Sequence, residues 1–142
     1  TCTDLDATTK GWTEMSTAVT HDIRITVTNR FELAHSDPPA GRFLFSYRIT
    51  ITNRGSEVVR LLRRHWIIRD SLAPVREVEG PGVVGETPVL EPSAEYTYSS
   101  ACDLRSAFGR MEGTYLMERT RDGHQFRVVI PAFALLVPEA AN

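Results

Sequence analysis

Between Phe43 and Ile51 the chain alternates without a break. Phe43, Phe45, Tyr47, Ile49 and Ile51 are apolar or aromatic, and Leu44, Ser46, Arg48, Thr50 and Thr52 are their outward partners. Residues two apart share a face only in an extended strand. A helical turn would bury Arg48 together with its neighbours, so this segment is a half-buried strand. The same period recurs at Ile23, Ile25 and Val27, at Tyr96, Tyr98, Ser100 and Cys102, and at Phe126, Val128 and Ile130. Met111, Tyr115 and Met117 share one strand face interrupted by Gly113, where a bulge or a close backbone approach is expected. Further strands are expected from Val58 to Ile68 and from Val75 to Val78. Pro131 bends or ends the last strand, and Phe133, Leu135 and Val137 continue its apolar pattern.

Turn signals separate these runs. They lie at Ser36–Gly41, Asn53–Ser56, Asp70–Pro74, Gly80–Pro92 and Arg121–His124. No window carries a sustained helical period. The chain therefore reads as all-β, an antiparallel immunoglobulin/fibronectin-III-like β-sandwich of about seven or eight strands. A partly open barrel is the second architecture with this pattern. At 142 residues the chain is one domain. A chain of this length buries roughly 68–70% of its unfolded surface, so it needs no disulfide or metal to fold. Thr1–Thr20 is polar, rich in Thr and Asp, and reads as a flexible leader before a domain at 21–142. Met15 is a reasonable native start, which would make Thr1–Glu14 an upstream remnant.

The net charge of -2 argues against a general nucleic-acid binder. No run approaches the 18 or more apolar residues of a membrane-spanning helix. The first residues lack the apolar stretch of a secretory signal. Cys2 lies in the polar leader and Cys102 in an expected core strand, so no disulfide and a cytoplasmic location are expected. Of 16 basic residues only Lys10 is lysine. Genome base composition can produce that bias. So can a need for guanidinium groups that pair anions bidentately.

Two neighbouring segments carry the chemistry worth weighing. Gly80-Pro81-Gly82-Val83-Val84-Gly85 fits G-x-G-x-x-G, but no helix can follow it, because Val83 and Val84 are β-branched and Pro88 comes soon after. A dinucleotide fold is therefore excluded. Such a loop can still offer backbone N–H groups to an anion, although Pro81 removes one donor. Upstream, Arg60 to Trp66 holds three arginines, a histidine and an indole. In a strand Arg64 and Trp66 share one face, and Arg63 and His65 the other. Either Trp66 fills the core while Arg63 and His65 face solvent or carboxylates, or these residues form an anion- or partner-binding face. His21, His35, His65 and His124 have no metal-ligand spacing, so no metal site is expected. Ser99, Ser100 and Cys102 are nucleophile types without a strand-to-helix elbow or a cue for a lowered pKa.

These segments resemble the ApaG (CorD) family. The likeness runs through Arg64-His65-Trp66-x-Ile68-x-Asp70, Gly80-x-Gly82-Val83-Val84-Gly85-Glu86-x-Pro88-x-Leu90-x-Pro92 and Tyr98-x-Ser100. It continues through Gly109-x-Met111-x-Gly113-x-Tyr115-x-Met117 and Phe126-x-x-x-Ile130-Pro131-x-Phe133, and covers about Ile23 to Asn142. The resemblance implies a fibronectin-III/immunoglobulin-like sandwich. It implies a genetic link to a diadenosine tetraphosphatase and to cobalt and magnesium resistance. Relatives within F-box proteins and polymerase-δ-interacting proteins imply protein–protein contact. Pro81 stands where the family often has an acidic residue, and Ser93 and Ala101 stand where it usually has glycine.

The expectation is a non-enzymatic module without cofactor that docks an unknown protein partner. Its site comprises Arg63, Arg64, His65, Gly80, Gly82, Val83, Val84, Gly85 and Glu86. The alternative is a pyrophosphate or nucleotide binder, with the loop amides as cradle and Arg64 or His65 as counter-charge. An exposed strand edge leaves a homodimer open.

Overall fold

The alternation that dominates the sequence becomes the middle of one sheet. In the computed structural model, which describes residues 12–13 and 15–138, Phe45, Tyr47, Ile49 and Ile51 all turn into the core. The strands are β1 (Ser16–Thr20), β2 (Ile23–Phe31), β3 (Phe43–Asn53), β4 (Val59–Asp70), β5 (Ala73–Pro81), β6 (Val89–Leu90), β7 (Glu95–Leu104), β8 (Phe108–Arg119) and β9 (Gln125–Leu136). One antiparallel sheet has the order β1-β2-β3-β7 and the other β5-β4-β8-β9, with β6 also paired to β4. The described residues contain no α-helix, only short 3-10 turns at Leu33–His35 and Pro38–Ala40. The architecture is the expected β-sandwich.

The described residues form nine strands rather than seven or eight. One extra is β1, inside the expected leader. Its register, Ser16↔Val27 to Thr20↔Ile23, adds an edge to β2. The pairing extends outward, because Thr13 N–H donates to Asn29 O at 2.8 Å, and the Arg30 and Arg48 guanidiniums both lie over the Trp12 ring. Ordered structure therefore begins before residue 21. Most of the remaining leader, including Cys2, lies outside the described residues. The other extra strand is β6, two residues long, within the expected Gly80–Pro92 loop.

Two bulges decide which side chains reach the core. Leu61 and Trp66 are five residues apart, an odd spacing that should place them on opposite faces. Both are buried, because β4 carries one extra residue, Leu62, between Leu61↔Met117 and Arg63↔Leu116. The second bulge is on β9, where the register passes from Met111↔Phe133 to Gly113↔Ile130. Val128 and Ile130 face inward before it, and Phe133 and Leu135 after it. Pro131 therefore neither ends nor breaks the strand; the ladder skips a pairing there, where a missing N–H is harmless. Gly113 is a close approach, since a Cβ there would lie 2.2 Å from His65 O and 3.1 Å from a Trp66 ring carbon.

The sheets meet through Tyr47, Trp66 and Phe133, with ring centroids 5.6–6.0 Å apart. Each indole or phenyl ring in such a core brings a large buried area and edge-to-face contacts. Thr52, expected to point outward, is buried and donates to Glu95 Oε2 at 3.1 Å.

Asp70 fastens the end of the sandwich where β4, β5, β7 and β8 turn. Its carboxylate accepts from Arg105 N–H at 2.6 Å, the Ser106 hydroxyl at 2.7 Å and Leu72 N–H at 3.1 Å. Burial alone would raise its pKa, but these three donors and the nearby Arg76 charge outweigh it and hold the carboxyl below its ordinary 3.8. The stabilisation is therefore complete above that value and is lost as pH falls through the lower folded-state value. Asp70→Asn should lower stability by about 1–3 kcal/mol at neutral pH. In paired denaturant titrations the gap from the parent should narrow below about pH 4; a gap constant with pH contradicts this account.

Candidate functional site

β5 and β6 pair with the same edge of β4, and the glycine loop is the excursion between them. Gly82 N–H donates to Leu62 O at 2.8 Å, and Leu61 N–H to Pro88 O at 3.0 Å. The loop thus leaves and rejoins the sheet at the β4 bulge. Val83 and Glu86 exchange both main-chain hydrogen bonds at 2.8 Å across the two-residue tip Val84-Gly85. The tip residues have φ of +43° and +81°, the signs that a type I′ hairpin turn requires. Gly82 is also at positive φ, and a Cβ there would lie 2.2 Å from Glu86 O.

Side chains fix the loop further. Val83 is fully buried and plugs the loop into the core. Arg64 faces inward beside Trp66 and donates to Pro81 O at 2.9 Å and Gly82 O at 3.0 Å. Its guanidinium lies against Gly80, where a Cβ would sit 3.2 Å from Nη1. It also lies close enough to a buried tyrosine pair to act on its ionisation. The hydroxyls of Tyr98 and Tyr115 are hydrogen-bonded, burial raises both pKa values strongly, and the Arg64 charge works against that rise. Arg64 is thus a strut between loop and core.

Val84 is the unusual residue. It is 55% exposed and holds a left-handed backbone, although it is β-branched. That conformation costs a residue with a Cβ about 1–2 kcal/mol. An apolar side chain is therefore held outward, at a cost, on a rigid mount.

Arg63 and His65 lie on the outer face of the second sheet, as expected. Arg63 pairs with Glu79 at 3.3 Å, and His65 Nε2 lies 3.9 Å from Glu77. Exposed pairs of this kind contribute about 0–1 kcal/mol. With Arg64, Glu79, Thr114, Leu116 and Arg127 they surround a depression of about 450 Å³. Arg127 was not anticipated. The pairing of β4 with β8 and of β8 with β9 brings it across Leu116 to Arg63, and no local sequence signal could have done so. Also missed was a cleft of about 250 Å³ at the far end, where His21 and His124 both pack on Phe126.

The nucleophile candidates separate. Cys102 is free and buried, and burial pushes its thiol up to about 11, which keeps it protonated. Ser99 points outward and Ser100 is half-buried. Among the described residues, no group of three or more His, Cys, Asp and Glu side chains is placed to hold a metal ion.

The ApaG domain pattern matches residues 33–119, the span from the first 3-10 turn to the end of β8. This chain belongs to the ApaG family. It is similar to Protein ApaG of Brucella suis biovar 1, 48% identical over 125 residues, which covers 88% of this chain and 95% of the relative. It is 47% identical over 124 residues to Protein ApaG of Paramagnetospirillum magneticum, covering 87% and 95%. A crystal structure of an ApaA protein from Bordetella pertussis shares the fold with a TM-score of 0.80 and 38% identity, over 87% of this chain and 99% of that one. Pro81 takes part in the clamp through its carbonyl, which receives the Arg64 bond.

The strain at Val84 has a measurable consequence. Val84→Gly removes the Cβ that penalises positive φ and should raise stability by about 1 kcal/mol, read as a higher denaturation midpoint. A loss of stability would mean that the tip side chain stabilises the fold.

Proposed function

We propose that this ApaG-family protein is a non-enzymatic docking module that binds a protein partner through the glycine loop and the adjoining Arg63–His65 face. The observation that carries the reading is Val84, an exposed apolar side chain in a left-handed conformation on a clamped hairpin. Strain of this kind persists where the surroundings over-determine it, and it concentrates at functional positions. The adjoining arginines belong to a residue type enriched in binding hot spots. Arg63, His65 and Arg127 supply a polar rim with Leu116 at its floor.

The pyrophosphate or nucleotide reading fits the loop less well. Gly82, Val83 and Glu86 already donate their N–H groups to internal carbonyls, and Pro81 has none. Arg64 points its guanidinium at two loop carbonyls. On the docking reading, any connection with cobalt and magnesium resistance or with diadenosine tetraphosphate turnover runs through the partner. The module works in the cytoplasm, with Cys102 as a free thiol.

The test uses the full chain as bait in native lysate, beside a Val84→Asp variant of unchanged melting temperature. A specific partner retained by the parent and lost by the variant is the expected outcome. Equal capture by both, together with millimolar-range binding of pyrophosphate or diadenosine tetraphosphate in calorimetry, would replace docking with anion binding.

A further inference from the structure

Among the described residues five strands bound the two sheets; β6 is only two residues long, and three of the other four are protected. β9 runs against β1 and β2, where Val129 N–H donates to Thr20 Oγ1 at 3.2 Å and Asn29 Nδ2 donates to Ala134 O at 3.1 Å. Those contacts cover the β1 and β9 side. β5 carries Pro74 and Pro81 and the charged run Arg76, Glu77 and Glu79. Prolines and charges are the usual guards of an edge. β7 has no proline, and its charges, Glu95 and Asp103, lie only at its two ends. Glu95–Leu104 is ten residues long, contains no proline, lysine or arginine, and pairs with β3 in unbroken register from Thr52↔Glu95 to Phe43↔Leu104.

The hydrogen bonding fixes which groups the edge offers. Asn53 N–H donates to Ala94 O at 3.0 Å, and Ser93 N–H to Asn53 O at 2.8 Å, so Asn53 turns its main chain toward β7. Main-chain groups alternate sides along an antiparallel strand. Tyr96, Tyr98, Ser100 and Cys102 therefore face β3, and Glu95, Thr97, Ser99, Ala101 and Asp103 face away. Of these five, only the Asp103 carbonyl receives donors among the described residues, the Arg76 guanidinium and the Cys102 thiol. The same residues point their side chains outward, and Thr97, Ser99 and Ala101 are small, neutral and exposed. At the two ends the Glu95 and Asp103 side chains are still 56% and 76% exposed although each has one arginine partner, Arg24 at 3.9 Å and Arg76 at 3.4 Å.

We infer that β7 is a strand-addition site, at which an extended segment of a protein partner pairs with Thr97, Ser99 and Ala101. The edge selects the partner's chemistry. Opposite the small neutral centre it takes uncharged β-branched residues, and opposite Glu95 and Asp103 it takes a cationic residue at each end. The inference rests on the docking reading for the existence of a partner, but its contacts are separate from Val84.

The probe is a short synthetic peptide of alternating threonine and valine with lysine at each end, titrated into the full chain and followed by amide NMR. The expected result is movement of the Thr97, Ser99 and Ala101 resonances, with their exchange slowed about tenfold or more. Ser99→Pro, which removes an edge donor without touching a β3 bond, should abolish both effects. A peptide N-methylated at alternate residues gives the same answer if that variant does not fold. Shifts confined to other strands, equal binding of the methylated peptide, or no shift at millimolar peptide would overturn the inference. So would concentration-dependent shifts at β7 without peptide, which would assign the edge to a second copy of the chain. If Val84→Asp loses the lysate partner while folded Ser99→Pro keeps it, the docking reading stands and strand addition falls.

Discussion

The extra residue at Leu62 is the constraint from which the rest of the structure follows. β4 is the central strand of its sheet, bonded to β8 on one side and to β6 and then β5 on the other. Without the bulge, Leu61 and Trp66 could not both face the core. With it, Leu61 packs at one end while Trp66 meets Tyr47 and Phe133 at the centre. The bulge also separates the β5 and β6 pairings on one side of β4, at the place where the glycine loop enters and leaves. One irregularity thus sets the parity of the core, the position of the loop and the inward turn of Arg64. Bulges commonly re-aim side chains in this way.

The loop shows how a fold can hold a strained tip. Its main-chain donors close on carbonyls within the loop and on β4, Val83 anchors it below, and the Arg64 guanidinium ties its carbonyls from the side. Each contact is modest alone. Together they leave Val84 no relaxed alternative, because releasing it would break several loop hydrogen bonds at once, each worth about 0.5–1.5 kcal/mol. The rigid tip and the open β7 edge offer different kinds of contact, one by side-chain packing and the other by main-chain pairing.

Much of the fold was legible in the sequence because burial writes a two-residue period into every half-buried strand. Ile23 to Val27, Phe43 to Ile51 and Tyr96 to Cys102 carry it plainly. β1 does not, because an edge strand of Thr, Ala and Val buries little on either face. β6 is too short for any period to show. The bulges left a trace that a strict alternation misreads: apolar residues at an odd spacing, Leu61 with Trp66 and Ile130 with Phe133. Arg63, Arg64 and His65 took the faces their spacing predicts, because all three lie beyond the Leu62 bulge. Arg127 belongs to the same depression through two strand pairings, and nothing in its neighbourhood announces that.

The sequence by itself determined the class of structure, the inward faces of the main strands and the singularity of the Gly80–Glu86 loop. These follow from local chemistry: side-chain alternation, turn residues and glycines suited to positive φ. Only the tertiary structure decided what the loop's polar groups do, that Arg64 braces it, and which sheet edge stays open. A hydrogen bond is satisfied by whatever group the fold brings near. The same N–H groups that a glycine motif offers to an anion in one architecture are consumed here by Leu62, Val83 and Glu86, because β4 bulges beside them.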